Sequence, residues 1–520
     1  MDLPRDSTTF GPPLETVAEL IGGPRIDDLL RRAARRAPHH PSLVADGLVL
    51  DHAALDARVS DCAEALRAAF GGPGTVIAIA AELTVDFAVT FLGISRSGNT
   101  SAMFNPLVPD DTLVHVLNAC GARAAVLSPR MHHRILALRS RLPLLDRLVV
   151  TADAGDGTPV LAGLGRTAVP PGEEVETACL QFTSGTTGAP KTVRLSHRNL
   201  LVNAAQSAHA HRLTADSVAL DNLPSFHLMH LDTALAVGAT LVLCPEEDRA
   251  ALVELARDRR ATHLYSLPVR LSRLAGDERL PGFRVPSLRA VLSGGSALPP
   301  RTTTALQEHF GVPVVQGYGL AETSPSTHFD LPEGPTVGSS GPPVAGTACR
   351  ITDVRTGEVL PVGERGEIQV RGPQLMLGYL GDGPAGAEAP ADADGWFRTG
   401  DVGRIDGSGR LFVVDRIKDV FKCDNWLVSP TEIERVLMRH PAVADCVVFD
   451  RPDELSGAVA VALVVPRGDG VDPAALTGFA NTRLPYYEHL AELRLVDGIP
   501  RSATGKVQRR ELRDRMFGPL

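Results

Sequence analysis

The sequence predicts a multidomain α/β protein. Three observations carry this: the length of the chain, an alternation of strand-like and helix-like patterns over its first third, and an apolar strand that breaks into a loop of glycines and hydroxyls near residue 183. At 520 residues the chain exceeds what one core organises, so two or three domains are expected.

The alternation begins with an arginine-faced amphipathic helix over 26–37 and a second helix over 51–69. A strand at 76–80 feeds a helix near 85–97, and a helix at 110–120 precedes a strand at 124–127. Strands alternating with helices imply parallel βαβ units and a layered sheet. After the central loop, Ser196 is the expected N-cap of a helix through Ala208, and a second α/β run follows. The stretch 333–380 is rich in Gly, Pro and Val and alternates at Gly366-Glu-Ile-Gln-Val-Arg371, which marks a β-rich subdomain over about 333–414. Ser429-Pro-Thr-Glu432 reads as a capping box with proline at the first helical position, with Ile433, Val436 and Leu437 on the buried face.

Composition excludes several functions. Apolar residues make up 44% of the chain, and its net charge of −9 argues against sequence-independent nucleic-acid binding. No basic segment followed by an apolar core opens the chain, and the most apolar long window, 76–94, contains Glu82 and Asp86; no signal peptide or membrane span is expected. Seven scattered cysteines without a CxxC pair suit a reducing cytoplasm and give no structural zinc site. The wealth of Arg, Ala and Gly is that of a GC-rich bacterial genome, from which a role in secondary metabolism is expected.

Lysine is the pointed feature. Only four occur, Lys191, Lys418, Lys422 and Lys506, against 48 arginines. A chain so biased keeps lysine where a compact, mobile ammonium does what a planar guanidinium cannot.

Lys191 closes the run Leu180-Gln-Phe-Thr-Ser-Gly-Thr-Thr-Gly-Ala-Pro-Lys191. Gly185 and Gly188 free the backbone to approach an anion, Thr183, Ser184, Thr186 and Thr187 add hydroxyl donors, and Lys191 adds a point charge. Ala189 and Pro190 break the spacing of a Walker A loop. The word S-G-T-T-G-x-P-K resembles the phosphate loop of the ANL superfamily, the acyl- and aryl-CoA synthetases, carrier-protein adenylation domains and luciferases. Further motifs in the same order extend the resemblance over most of the chain. It implies a large N-terminal domain, residues 1–414, and a small mobile α+β C-terminal domain, 415–520. It also implies that ATP and Mg²⁺ convert a small-molecule acid into an acyl-adenylate and pyrophosphate.

The resemblance assigns residues one motif at a time. Pro224-Ser-Phe-His227 matches a P-x-F-H element whose histidine lies beside the acid, which brings Leu228, Met229, His230 and Asp232 toward that pocket. Val291-Leu-Ser-Gly-Gly-Ser-Ala297 resembles a strand ending in glycines, among them Gly295, that admit adenine. Gln316-Gly-Tyr-Gly-Leu-Ala-Glu-Thr323 resembles the Y-G-x-T-E box, with Tyr318 stacking on adenine and Glu322 holding Mg²⁺. Gly317 is counted with the acid pocket, and Gly319 and Thr323 with the nucleotide. Ala321 stands where the family carries a threonine donor to the α-phosphate.

Gly395-Trp-Phe-Arg-Thr-Gly-Asp401 resembles the ribose motif, which gives Asp401 the sugar hydroxyls. In Leu411-Phe-Val-Val-Asp-Arg-Ile-Lys-Asp419, Arg416 is matched to the ribose and Lys418 to the hinge. Pro500-Arg-Ser-Ala-Thr-Gly-Lys506 supplies the catalytic lysine, Lys506, placed with His227 and Glu322 in the catalytic set. Lys422 and Asn425 lie in the loop of the second half-reaction. Thioester-forming relatives carry glycine at the position of Asn425, so the acceptor stays open between coenzyme A, an amine and a carrier protein. Nitrite activation toward an arylamine and a non-catalytic nucleotide-binding homologue are the remaining alternatives.

Overall fold

The fold was obtained as a computed structural model that describes residues 6–45, 47–71, 73–169, 175–183, 190–381, 391–424, 426–453, 455–468, 470–501, 507 and 509–517. Contacts divide the chain into two units, one of Thr9–Cys349 with Val370–Phe397 and one of Met1–Thr8, Arg350–Gln369 and Arg398–Leu520.

The first unit is built on two sheets. Its seven-stranded sheet runs Gly378–Tyr379, Thr192–Ser196, Thr177–Phe182, Thr100–Phe104, Val76–Ala80, Ala124–Leu127 and Arg147–Val150. The strands from Thr177–Phe182 to Arg147–Val150 are parallel, and the other two join antiparallel. The eight-stranded sheet runs Ser326–Phe329, Val314–Gly319, Ala290–Ser293, His263–Ser266, Val218–Asn222, Thr240–Leu243, Pro41–Ala45 and Leu48–Asp51, with only the two edge strands antiparallel. Parallel strands buried on both faces read as continuous apolar runs, as Val76–Ala80 and Thr240–Leu243 do.

The helices start and stop where their sequences say. Asp51 accepts from Ala54 N–H at 2.7 Å to cap His52–Phe70, and Thr84 caps Val85–Arg96. These two helices pack so closely that a Cβ on Gly93 would lie 2.5 Å from Cys62 Sγ. The helix His197–Ala210 begins at Ser196 in a full capping box with Asn199. A buried carboxylate ties the N-terminal segment to this layer. Asp27 accepts from Ser95 Oγ (2.9 Å), Arg25 Nε (3.1 Å) and Arg96 Nε (3.1 Å). Burial alone would push its pKa up, but the two guanidiniums hold it below the usual carboxylate range.

In the second unit, strands within Ala348–Thr352, Gly366–Arg371, Phe397–Ile405 and Leu411–Arg416 lie side by side. A further sheet runs Trp426–Val428, Phe421–Cys423, Gly457–Pro466 and Val443–Asp453, with Leu490–Leu495 pairing parallel to Gly457–Pro466. Helices Pro430–Leu437 and Pro473–Asn481 bury Ile433, Leu437, Leu476 and Ala480 against it.

Two expectations change in detail. The capping box at Ser429 forms by half: Ser429 Oγ accepts from Glu432 N–H at 3.3 Å, but the Glu432 carboxylate pairs with Arg365 instead of returning to the cap. A nearby guanidinium attracts a half-buried carboxylate more strongly than one backbone amide does. The β-rich stretch also gives one strand away, because Gly378–Tyr379 pairs with Thr192–Ser196 in the seven-stranded sheet. All seven cysteines are buried and unpaired. Among the described residues, no helix is long and apolar enough to cross a membrane.

Five histidines of the first unit are kept neutral by burial. The pKa falls to about 4 for His197 and His263, to about 3 for His227 and His328, and well below the ordinary value for His211. These groups protonate in the unfolded chain below pH 6.5 but not in the folded one, so stability is present above 6.5 and lost as pH falls. Each such group costs about 1.4 kcal/mol per pH unit in that window. The urea midpoint should drop steeply from pH 7.5 to pH 5, with several protons taken up on unfolding; a midpoint flat over that range would contradict the burial.

Candidate functional site

In the first unit the loop expected to cradle phosphate leaves and re-enters the sheet at one point. Phe182 and Thr192 are register partners, Thr183 N–H donates to Lys191 O, and Lys191 N–H donates to Thr183 Oγ1, both at 3.0 Å. The Thr183 hydroxyl therefore clamps the base of the loop. Ser184, Gly185, Thr186, Thr187 and Gly188 lie outside the described residues.

Lys191 is held by a residue distant in sequence. Its Nζ sits 4.4 Å from the centroid of the Tyr379 ring, whose hydroxyl donates to Glu322 Oε1 at 2.8 Å. A ring face attracts an ammonium, and a carboxylate accepts strongly from a phenol. The strand pairing Tyr379↔Val193 and a hydrogen bond from Met376 N–H to Glu322 O (2.9 Å) fix all three groups. The other oxygen of Glu322 has no protein partner among the described residues.

The glycines of the Y-G-x-x-E box have a packing reason of their own. A Cβ on Gly317 would meet Phe329 Cδ2 at 2.6 Å, and one on Gly319 would meet the Pro325 carbonyl oxygen far inside contact distance. The antiparallel partner Ser326–Phe329 passes too close for any side chain there. Gly295 differs: its φ is +83°, and an added Cβ would meet only Leu267 Cδ2, at 4.0 Å. Tyr318 is half-buried, with its ring 6.0 Å from that of His328. Thr323 is fully buried and its hydroxyl serves its own turn, accepting from Leu320 N–H at 3.0 Å and donating to the Pro325 carbonyl. That hydroxyl is occupied, and the position of Ala321 supplies none.

Of the expected acid-pocket residues, His227, Met229 and His230 lie on one helix start, whereas Gly317 lies in the strand Val314–Gly319. His227 is the N-cap residue of Leu228–Val237, and Met229 and His230 lie in its first turn. Met229 Sδ accepts from Ser326 Oγ at 3.1 Å. His227 is held neutral by burial and by the neighbouring His230, and its Nδ1 is buried without a partner. Asp232 is fully buried, and burial pushes its carboxyl well above the usual range. Around His230 lie three residues that the motifs did not single out. Asp221 Oδ2 is 3.1 Å from His230 Nδ1, the Tyr265 ring is 4.4 Å from the His230 ring, and Tyr265 Oη is 2.9 Å from His211 Nδ1.

In the second unit Asp401 and Arg416 are direct partners across two antiparallel strands, with Arg416 Nε 3.4 Å from Asp401 Oδ1. Gly400, at φ +71°, turns the chain just before Asp401, and Thr399 Oγ1 accepts from Asp401 N–H at 3.1 Å. Lys418 follows in a tight turn, where burial lowers its pKa first and Arg416 adds to the effect. Lys422 lies in Phe421–Cys423, and the pairing of Cys423 with Trp426 brackets Asp424 and Asn425. Asn425 and Lys506 lie outside the described residues. The segment carrying Lys506 is bracketed by a bridge between Arg501 and Val507, by Arg501 on Asp445 (2.7 Å), and by Arg509 on the half-buried Glu434 (2.8 Å).

The sequence reading missed Tyr379, Asp221, Tyr265 and His211. Asp221 had a signal, a carboxylate inside the apolar strand Val218–Asn222, where a buried charge needs a partner. Tyr379 had none, because its role follows from pairing with a strand nearly two hundred residues earlier.

Comparison with known proteins fits this geometry. Residues 30–380 match the family model of the AMP-binding enzymes, and residues 432–506 that of the AMP-binding enzyme C-terminal domain. A feruloyl-CoA synthase from an Amycolatopsis species is 33% identical over 94% of this chain and 98% of its own. ATP-bound MatB from Rhodopseudomonas palustris superposes with a TM-score of 0.85 at 27% identity, covering 94% of this chain and 98% of that one. The amide bond synthetase McbA from Marinactinospora thermotolerans does so with a TM-score of 0.85 at 25% identity, covering 95% and 100%. The chain belongs to the AMP-binding enzymes, the ANL superfamily of adenylate-forming ligases.

Proposed function

We propose that the protein activates an aromatic carboxylic acid with ATP, releasing pyrophosphate, and passes the acyl group to coenzyme A. The observation that carries this is the chain Lys191–Tyr379–Glu322, a cation and a carboxylate held one ring apart at the mouth of the phosphate loop. The likeness to feruloyl-CoA synthase supports the substrate class and the acceptor.

In the first step a carboxylate oxygen bonds to the α-phosphorus and the bond to the α/β bridging oxygen breaks. Charge builds on the departing pyrophosphate, where Lys191 and the loop Thr183–Gly188 take it up, while Lys506 serves the α-phosphate. His227, neutral with a pKa of about 3, can orient the acid without neutralising its nucleophilic oxygen. Tyr318 and Gly295 receive the adenine, and Asp401 with Arg416 the ribose. Among the described residues no three His, Cys, Asp or Glu side chains gather around a metal position. The free oxygen of Glu322 therefore suits Mg²⁺ brought in on the triphosphate, an ion that keeps phosphate and water ligands and neutralises phosphate charge when bound. In the second step the thiol of coenzyme A attacks the acyl carbonyl and AMP leaves, with Lys418 as the hinge and Lys422 beside the acceptor.

A second reading replaces coenzyme A with an amine. It is favoured by asparagine at 425, where backbone approach calls for glycine, and by the likeness to McbA. Pyrophosphate release assayed with and without coenzyme A, the product identified by mass, separates the two acceptors.

Lys506→Ala should cut acid-dependent pyrophosphate release about a hundred- to a thousandfold with nucleotide binding retained, as the loss of one transition-state donor does. Unchanged release would remove Lys506 from the site. Tyr379→Phe keeps the ring under Lys191 but frees Glu322, and should lower kcat/KM for ATP by about tenfold, whereas Tyr379→Ala should lower it further. Equal effects from the two would contradict a role for the phenol.

A further inference from the structure

The order of the eight-stranded sheet contains a topological switch. From Val218–Asn222 the chain passes to Thr240–Leu243 on one side, and from His263–Ser266 to Ala290–Ser293 on the other. At such a point a crevice opens beyond the carboxyl ends of the strands, and ligands bind there. The neighbouring strand end is open as well, since an added Cβ would meet nothing within 4 Å at Gly294.

Asp221 and Tyr265 are register partners across this switch, each one residue from the end of its strand. His230 enters from the helix Leu228–Val237 and stands against both. Asp221 has no exposed surface, yet among the described residues neither of its oxygens receives a well-directed hydrogen bond, although His230 Nδ1 is 3.1 Å away. A carboxylate this deep is costly unless it directs something. A carboxylate oxygen 3.1 Å from Nδ1 favours the proton on that nitrogen, so Nε2 carries the lone pair. Nε2 is not among the buried unpaired atoms and has no hydrogen-bond partner among the described residues, and His230 keeps 7% of its surface accessible. The Tyr265 hydroxyl does not compete for it, being committed to His211 Nδ1 at 2.9 Å. An acceptor nitrogen thus lies at the switch, beside the Tyr265 ring.

We propose that His230, positioned by Asp221, selects the acid substrate: its Nε2 accepts a hydrogen bond from a hydroxyl or amino group on the ring of an aromatic acid. This rests on the reading above that the first unit binds the acid to be activated. A site that hydrogen-bonds a substrate donor rejects the analogue lacking it, because the buried polar group is left unpaired.

The test uses the full-length protein, its His230→Leu, His230→Gln and Asp221→Asn variants, and acids of two lengths. 4-Hydroxycinnamate and 4-aminocinnamate are compared with cinnamate, and 4-hydroxybenzoate and 4-aminobenzoate with benzoate. Acid-dependent pyrophosphate release and acid binding by calorimetry are measured separately. The wild type should prefer at least one donor-bearing acid over its parent by about a hundredfold, the hydroxyl and amino arms showing which donor is read. His230→Leu should lose the preference by slowing the donor-bearing acid far more than its parent, His230→Gln, which keeps an acceptor, should retain part of it, and Asp221→Asn should weaken it mainly through KM. Pyrophosphate release without any preference, or a His230→Leu loss equal for both members of a pair, would overturn the proposal and leave the activation reading standing. A His230-dependent preference in binding without pyrophosphate release would support the proposal and overturn that reading. No binding of any acid would overturn both.

Discussion

The constraint behind this structure is electrostatic: a carboxylate must approach a triphosphate, and the two repel each other. On the proposed reading the first unit answers this with the contact of Lys191 with the face of Tyr379, while the same phenol donates to Glu322. One aromatic ring keeps a cation and an anion apart, the ammonium over its face and the carboxylate at its hydroxyl, so that neither quenches the other before substrate arrives. The pairing of Gly378–Tyr379 with Thr192–Ser196 is what makes that spacing fixed. A direct Lys–Glu contact would have consumed both charges.

The same economy of charge governs the interior. His211, His227 and His328, around the eight-stranded sheet, are held neutral by burial. A neutral imidazole offers a hydrogen bond without a counter-charge, which suits a pocket whose ligand must keep its nucleophilic oxygen anionic. Asp221 is the exception. It lies deep in the sheet beside His230, and its place at a strand switch gives that expense a structural reason.

What the sequence made legible was local or carried by compact motifs. Ser196 announced its helix through cap chemistry, and the two halves of the Asp401–Arg416 pair were read from separate words and found opposite each other. What stayed hidden depends on which strands become neighbours. Tyr379 lay in a stretch legible only as β-rich, and Asp221 and Tyr265 meet through parallel register, which no local pattern encodes. Gly317 and Gly319 were read for ligand approach, whereas the strand Ser326–Phe329 alone already forbids a side chain there. The half-formed cap at Ser429 has the same cause, a long-range partner, Arg365, outbidding a local one.

The central claim is that the acid's own oxygen attacks the α-phosphorus. It is tested by supplying Mg-ATP, coenzyme A and an accepted aromatic acid labelled with ¹⁸O in both carboxylate oxygens. The bond that forms in the first step is acid oxygen to phosphorus, and the bond that breaks in the second is that oxygen to the acyl carbon. Each AMP released should therefore carry one ¹⁸O, with unlabelled pyrophosphate. Label in inorganic phosphate alongside ADP, or AMP without label, would contradict the account.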